Sequence, residues 1–178
     1  MQSHLSSKEA YLEKFKVLQQ DVADHGKELT TVEDMSAKLQ TSVSDPAVPT
    51  TVAQLRASYD TLVSMTTDVV CLVERHYREQ CVYEESYTYC VSWLHNAQDE
   101  LDTWEKSVEP KLSALKELQK TMSEGHSRVK QAAKMCDTVT PHTSTDGAQT
   151  MRSNLEHFAL SCDKLRNDVK KAIVSLRI

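Results

Sequence analysis

An all-α fold built from long helices is what this 178-residue sequence predicts, and three observations carry that expectation. Only three glycines (Gly26, Gly125, Gly147) and four prolines (Pro46, Pro49, Pro110, Pro141) occur, where average usage would supply roughly a dozen and nine. A chain so poor in turn residues makes few turns, which excludes sandwiches, barrels and Rossmann-type sheets. Between Thr51 and Glu109 there is neither proline nor glycine, and apolar residues recur at alternating spacings of three and four, the mark of helices sharing a seam.

The elements follow in order. Ser6-Ser-Lys-Glu9 reads as a capping box, so a helix is expected to start there. Its stripe is Phe15, Leu18, Val22, His25, Leu29, Val32, Met35 or Ser36, and Leu39. Ser42 to Thr50, with Asp45-Pro46 and Pro49, is the first expected break. The breaker-free stretch 51–109 carries one stripe at Val52, Leu55, Tyr59, Leu62, Thr66, Val69, Val73 and Tyr77. A second stripe runs through Tyr87, Cys90, Leu94, Ala97, Leu101, Trp104 and Val108. An unbroken helix of that length would be about 85–90 Å long, too long for one compact domain, so it must be shared by two consecutive bundles. Pro110 can open the next helix, whose stripe is Leu112, Leu115, Leu118, Met122, Gly125, Val129, Ala132 and Met135 or Cys136. Val139 to Gly147 is the second break. Met151, Leu155, Phe158, Cys162, Leu165, Val169, Ile173 and Leu176 mark the last helix.

Laid on itself with an offset of about one hundred residues, the chain repeats in pattern. Phe15 falls on Leu115, Leu18-Gln19 on Leu118-Gln119, Val22 on Met122, Asp24-His25-Gly26 on Glu124-Gly125-His126, and Leu29 on Val129. Each copy is followed by a proline-bearing loop and another heptad helix.

A period of this size, three heptad helices per unit and a last helix running into the first of the next resemble spectrin repeats. Tyr87 to Leu101, with Trp93-Leu94 in the middle, resembles a first helix of such a repeat. Leu55-Arg-Ala-Ser-Tyr59-Asp-Thr-Leu62 resembles a third helix with an aromatic in place of tryptophan, and 8–40 and 111–138 resemble second helices. The resemblance implies tandem spectrin-like three-helix bundles joined by a continuous linker helix: a partial repeat over residues 1–82 that lacks its first helix, and a complete repeat over 83–178. Within that superfamily the divergent, cysteine-bearing seams are most similar to nesprin rods, with plakin-type and dystrophin-type rods as alternatives. The nesprin resemblance implies a non-enzymatic rod segment and docking scaffold of a giant linker between the nuclear envelope and actin. Its implied partners are actin or actin-organising proteins such as formins. Its implied location is the cytoplasmic cytoskeleton, reaching the outer nuclear membrane through the parent protein.

Composition sets further expectations. With 21 basic and 26 acidic residues the net charge is −5, giving no whole-chain attraction to nucleic acid or anionic membrane. No apolar run of about 18 residues exists and residues 1–20 lack a signal core, so neither a membrane span nor secretion is expected of this segment. Five cysteines, an odd number on or beside apolar helical positions, read as reduced thiols. No glutamate has a histidine three residues later, as di-iron bundles require. Cys71, Cys81 and Cys90 are spaced too widely for a zinc site. No phosphate-cradling or nucleophile-elbow motif occurs, and Cys90 with His95, five residues apart, points to different faces. Neither catalysis nor a cofactor is therefore expected; a compact ligand-binding bundle is the rival from another class.

Recognition is left to surfaces. Tyr77, Tyr83, Tyr87 and Tyr89 lie within 13 residues, interleaved with Arg75, Arg78, Glu84 and Glu85. Tyrosine and arginine combine apolar area with polar tips and are enriched at interfaces. Arg75, Arg78, Tyr83, Glu84 and Tyr87 are the candidate partner-binding residues, with inter-repeat packing as the plainer alternative. Lys164, Arg166, Lys170, Lys171 and Arg177 form a basic end that reads as a solvated face or a contact for an acidic partner. The seam left open in the partial repeat is a possible site of self-association.

Overall fold

The computed structural model describes residues 2–43, 45–105 and 111–175. These are all-α: α1 spans Gln2–Gln40, α2 Ala47–Glu105, α3 Lys111–Val139 and α4 Thr145–Ser175, with a 3₁₀ turn at Thr140–His142 before α4. The side chains of Trp104, Val108, Leu112 and Leu176, and the break at Pro110, lie outside the described residues.

Helix boundaries depart from the sequence reading at three places. The capping box at Ser6 does not open α1, which is already helical at Gln2; no breaker separates Gln2 from Ser6, and the serines sit inside the helix. Pro49 is no breaker either, because α2 starts at Ala47 and Pro49 falls in its first turn, where the missing N–H costs nothing. Asp45 holds that start, its Oδ1 accepting from the Ala47 N–H at 2.9 Å. Gly147 likewise lies inside the first turn of α4, whose cap is Ser144: its Oγ accepts from the Gly147 N–H at 3.3 Å and its carbonyl from the Ala148 N–H at 2.8 Å.

The chain divides within α2, between Tyr77 and Arg78, into two compact units; the sequence reading put that division between Val82 and Tyr83. The unit from residue 78 onward is a three-helix bundle with two core clusters. One joins Tyr83 and Cys90 of α2, Ala132, Cys136 and Val139 of α3, and Met151, Leu155, Phe158 and Cys162 of α4. The other joins Ala97 and Leu101, then Leu115, Leu118 and Met122, then Leu165, Val169 and Ile173. Residue numbers rise from the first cluster to the second along α2 and α4 and fall along α3, so α3 runs antiparallel to the other two. The sequence-expected seam of α4 is buried at every described position from Met151 to Ile173. Each such large apolar side chain contributes about 1.5–3 kcal/mol on leaving water. Gly125 makes room for an aromatic, since a Cβ there would lie 2.2 Å from Trp93 Cη2.

The unit before it is a two-helix hairpin of α1 and the first part of α2. Gln19 Nε2 donates to Thr67 Oγ1 at 3.2 Å, Tyr59 Oη to the Ala23 carbonyl at 3.5 Å, and Arg56 Nε to Glu33 Oε1 at 2.7 Å. As one partner's number rises the other's falls, which fixes the pairing as antiparallel. Along α1 the positions withdrawn from solvent are Leu5, Lys8, Leu12, Phe15, Gln19, Val22, Gly26, Leu29, Glu33 and Ser36. Along α2 the corresponding series is Val52, Arg56, Tyr59, Val63, Thr66, Val70, Val73 and Tyr77, with Val48, Pro49, Glu74 and His76 half-buried beside it near its two ends. Both series alternate three and four. Here the sequence-expected stripe is corrected: Leu18, Val32, Leu39, Leu55, Leu62 and Val69 are exposed. The apolar stripe of each helix is wider than one antiparallel partner can cover, so its outer edge stays in water.

Candidate functional site

Of the five candidate docking residues, Arg75 belongs to the hairpin unit and the other four to the three-helix unit. Arg75 and Arg78 are exposed on α2. Tyr83 is 0 % exposed; the structure makes it a core residue, which cannot meet a partner while the bundle is closed. Its ring stacks on Tyr87 at a centroid distance of 6.1 Å, and Tyr87 in turn meets the edge of Phe158 at 6.4 Å. Those separations belong to favourable aromatic pairs. Glu84 is half-buried and accepts from Gln80 Nε2 at 2.9 Å. Burial raises both the Tyr83 and Tyr87 phenols above the ordinary tyrosine range, Tyr83 strongly. The sequence carried the signal: stepping back from Cys90 by three and then four reaches Tyr87 and Tyr83, on the seam.

Tyr89 is the aromatic of this stretch that faces solvent, and the Arg128 guanidinium stands 4.1 Å from its ring centroid, a cation–π pair between α2 and α3. Arg128 also pairs with Glu124. In the basic end of α4, Arg166 pairs with Asp163 at 3.0 Å and Lys171 with Asp168 at 3.8 Å, so the neighbouring carboxylates compensate part of that charge; Arg177 lies outside the described residues.

The thiols of Cys90, Cys136 and Cys162 are buried in one cluster. Burial pushes all three upward, Cys162 to about 11, so at neutral pH they are protonated and poor nucleophiles. Among the described residues no group of three His, Cys, Asp or Glu side chains is placed to hold a metal ion, and no helix is long and apolar enough to cross a membrane.

What the structure does present is the open flank of the hairpin. In the antiparallel register that sets Tyr59 against Gly26, residues seven apart on α1 (Leu18, His25, Val32, Leu39) lie on the same side as Val69, Leu62, Leu55 and Val48 on α2. These positions adjoin the buried seam on one flank in both helices, the geometry of facing helices in an antiparallel coiled coil. Met35, Met65 and Leu72, all strongly exposed, widen it. The opposite flank is polar: Lys16, Thr30, Asp60 and Thr67 lie there, tied by the Gln19–Thr67 hydrogen bond and the Glu33–Arg56–Asp60 ion pairs. Arg56, hydrogen-bonded to Glu33, holds that carboxyl below the ordinary range. The hairpin thus carries one apolar and one polar flank, each running about four heptads along its helices.

No protein-family description matches the chain, and no solved structure matches it. Among curated proteins the chain is similar to the "Muscle-specific protein 300 kDa" of Drosophila melanogaster, with 25 % identity over 187 aligned residues. The match covers 98 % of this chain and 2 % of that protein. The chain thus corresponds to a small segment of its relative, and the similarity runs across both units.

Proposed function

We propose that this chain is a non-enzymatic rod segment and protein-docking scaffold within a giant cytoskeletal linker, residues 1–82 forming a partial spectrin-like repeat and 83–178 a complete one. The observation that carries this reading is α2, one unbroken helix of 59 residues from Ala47 to Glu105 that supplies a strand of the coil to each unit. A shared helix transmits force and unfolding between neighbours, because a break in it exposes seam residues of both. The end-to-end similarity to a segment of a much larger protein supports the same reading. Buried, protonated thiols and a core filled with side chains serve packing, not chemistry.

In the nesprin-type form of this proposal the parent protein connects the outer nuclear membrane to actin, with actin or actin-organising proteins such as formins docking on its repeats. In the plakin- or dystrophin-type form the parent cross-links the cytoskeleton elsewhere. Staining of the endogenous parent at the nuclear rim separates the two. The scaffold reading is tested by inserting Gly-Pro after Ser86. Chemical denaturation of the native chain should show one cooperative transition and the insertion should split it into two; unchanged cooperativity would count against a load-sharing helix.

A further inference from the structure

We propose that Cys90 and Cys162 are the two halves of a reversible disulfide clasp, formed at the expense of a small-molecule disulfide such as glutathione disulfide and pinning α2 to α4 across the core of the three-helix unit. In the closed, reduced bundle both thiols only fill space, Cys90 at 1 % and Cys162 at 2 % exposure. Register singles this pair out among the cysteines. The first core cluster takes Tyr83 and Cys90 with Leu155 and Cys162, and the second takes Ala97 and Leu101 with Val169 and Ile173. Both series step by seven, seven and four, so α2 and α4 run parallel and in step, and Cys90 and Cys162 hold matching seam positions. Helices packed about 8–10 Å apart, with Cα atoms about 2.3 Å from each axis, bring inward-facing Cα atoms at one level to roughly 4–6 Å. A disulfide spans about 4.4–6.8 Å between Cα atoms.

Cys136 shares the cluster but not the level. Gly125 lies against Trp93 and α3 runs antiparallel, so the stretch from Gly125 to Cys136 leads back along α2 to the level of Val82, about 12 Å along the axis from Cys90. Cys81 precedes Cys90 on the same helix, and Cys71 belongs to the hairpin unit. The exchange itself balances. When the bundle opens transiently, the Cys90 thiolate attacks one sulfur of glutathione disulfide; that S–S bond breaks, and one glutathione thiolate leaves and takes up a proton. The Cys162 thiolate then attacks the Cys90 sulfur of the mixed disulfide and expels the second glutathione thiol. Two protein thiols have lost two electrons and two protons, and one small disulfide has become two thiols. Cys90 attacks first because the Arg128 guanidinium opposes the upward pull of burial on its thiol, whereas burial carries Cys162 to about 11. The new bond closes a loop that contains all of α3, Lys111–Val139, and in the chain-entropy account a cross-link over a long loop constrains the unfolded chain most.

The clasp lies wholly within the three-helix unit and does not depend on the rod reading. Its test is to equilibrate the full 178-residue chain with glutathione buffers of rising disulfide content, quench with acid, digest at acidic and basic residues, and map the cross-links by mass spectrometry. The Cys90–Cys162 pair should exceed every pairing with Cys136 by about ten-fold or more, since only the matched pair lies within a disulfide's reach, and dithiothreitol should reverse it. Exposed Cys71, capped by glutathione in the same sample, confirms that the oxidant is active. The oxidised chain should unfold at a urea midpoint about 1 M higher than the reduced chain, read by tryptophan fluorescence. Cys136→Ala should keep both the cross-link and the shift; Cys90→Ala or Cys162→Ala should abolish them. Cys90 and Cys162 remaining free thiols while Cys71 is capped overturns the proposal. So does equal pairing with Cys136, which would show that the bonds form in the unfolded chain, and so does an oxidised chain less stable than the reduced one, which would show that the closed bundle does not accept the bridge.

Discussion

Gly125→Ala should destabilise the three-helix unit although it adds the best helix former in place of a poor one. Gly125 sits in the middle of α3, where replacing glycine by alanine normally gains about 1 kcal/mol of helix stability. Its backbone is not in the left-handed region, so no φ constraint demands glycine. The constraint is space. An added Cβ would lie 2.2 Å from Trp93 Cη2, 2.5 Å from Cζ3 and 2.8 Å from Cζ2, against the ~3.5–4.0 Å of an ordinary carbon contact. The indole edge must therefore retreat by more than 1 Å, and because half-buried Trp93 packs against both core clusters of the bundle, that retreat disturbs contacts in each. Overpacking of this kind costs roughly 1–3 kcal/mol; set against the ~1 kcal/mol that the helix gains, a mid-range cost of about 2 kcal/mol leaves a net loss of about 1 kcal/mol and a fall in Tm of roughly 4–8 °C. Both tryptophans of the chain, Trp93 and Trp104, lie in this unit, so fluorescence-detected unfolding reports it selectively. In a Trp93→Phe background the fused ring that clashes is gone and the same substitution should cost about 1 kcal/mol less, read as a coupling energy. Gly26→Ala is the comparison: its Cβ meets the Tyr59 hydroxyl at 2.5 Å, the far end of a side chain that can swing to the hairpin surface, so the net change should be near zero. A Gly125→Ala variant at least as stable as the native chain, or one no worse than Gly26→Ala, would refute this account.

Two further outcomes are expected. In a thiol-reactive assay at pH 8, exposed Cys71 should react at once while Cys90, Cys136 and Cys162 react at least 100-fold more slowly until denaturant is added; because burial raises the native Cys162 thiol to about 11, the native state holds its proton where the unfolded chain loses it, so stability should be full below pH ~9 and fall between about 9 and 11, seen as a falling urea midpoint for the three-helix unit. In the hairpin unit Arg56→Leu should return the Glu33 carboxyl to the ordinary range in an NMR titration and remove that carboxyl's share of the hairpin's acid sensitivity, since a carboxyl depressed in the native state contributes stability above the unfolded value of about 4.5 and loses it as pH falls further; an unmoved Glu33 titration would show that the ion pair does not form.

The helix seam of the three-helix unit was legible because periodicity alone encodes it: Leu115, Met122, Leu155, Phe158 and Val169 recur at helical spacing and every one is buried. Helix starts were less legible. Pro49 and Gly147 mark loops in most contexts, and only the local caps, Asp45 and Ser144, show that both residues fall in first turns. The junction tyrosines were misleading for a different reason: Tyr83 and Tyr87 sit between charged residues in sequence, yet their neighbours project to other sides of the same helix, and three-four spacing places them inward.

By itself the sequence determined the all-α class and one helix shared across the middle of the chain, because scarce breakers and heptad spacing are properties of local backbone chemistry. Which edge of each stripe is covered was decided by tertiary structure. Leu62 and Leu165 carry the same side chain on the same kind of stripe, yet the first is 47 % exposed and the second 1 %. The physical reason is that burial is a property of the partner surface: three helices enclose a full stripe from both sides, and two enclose only half of it.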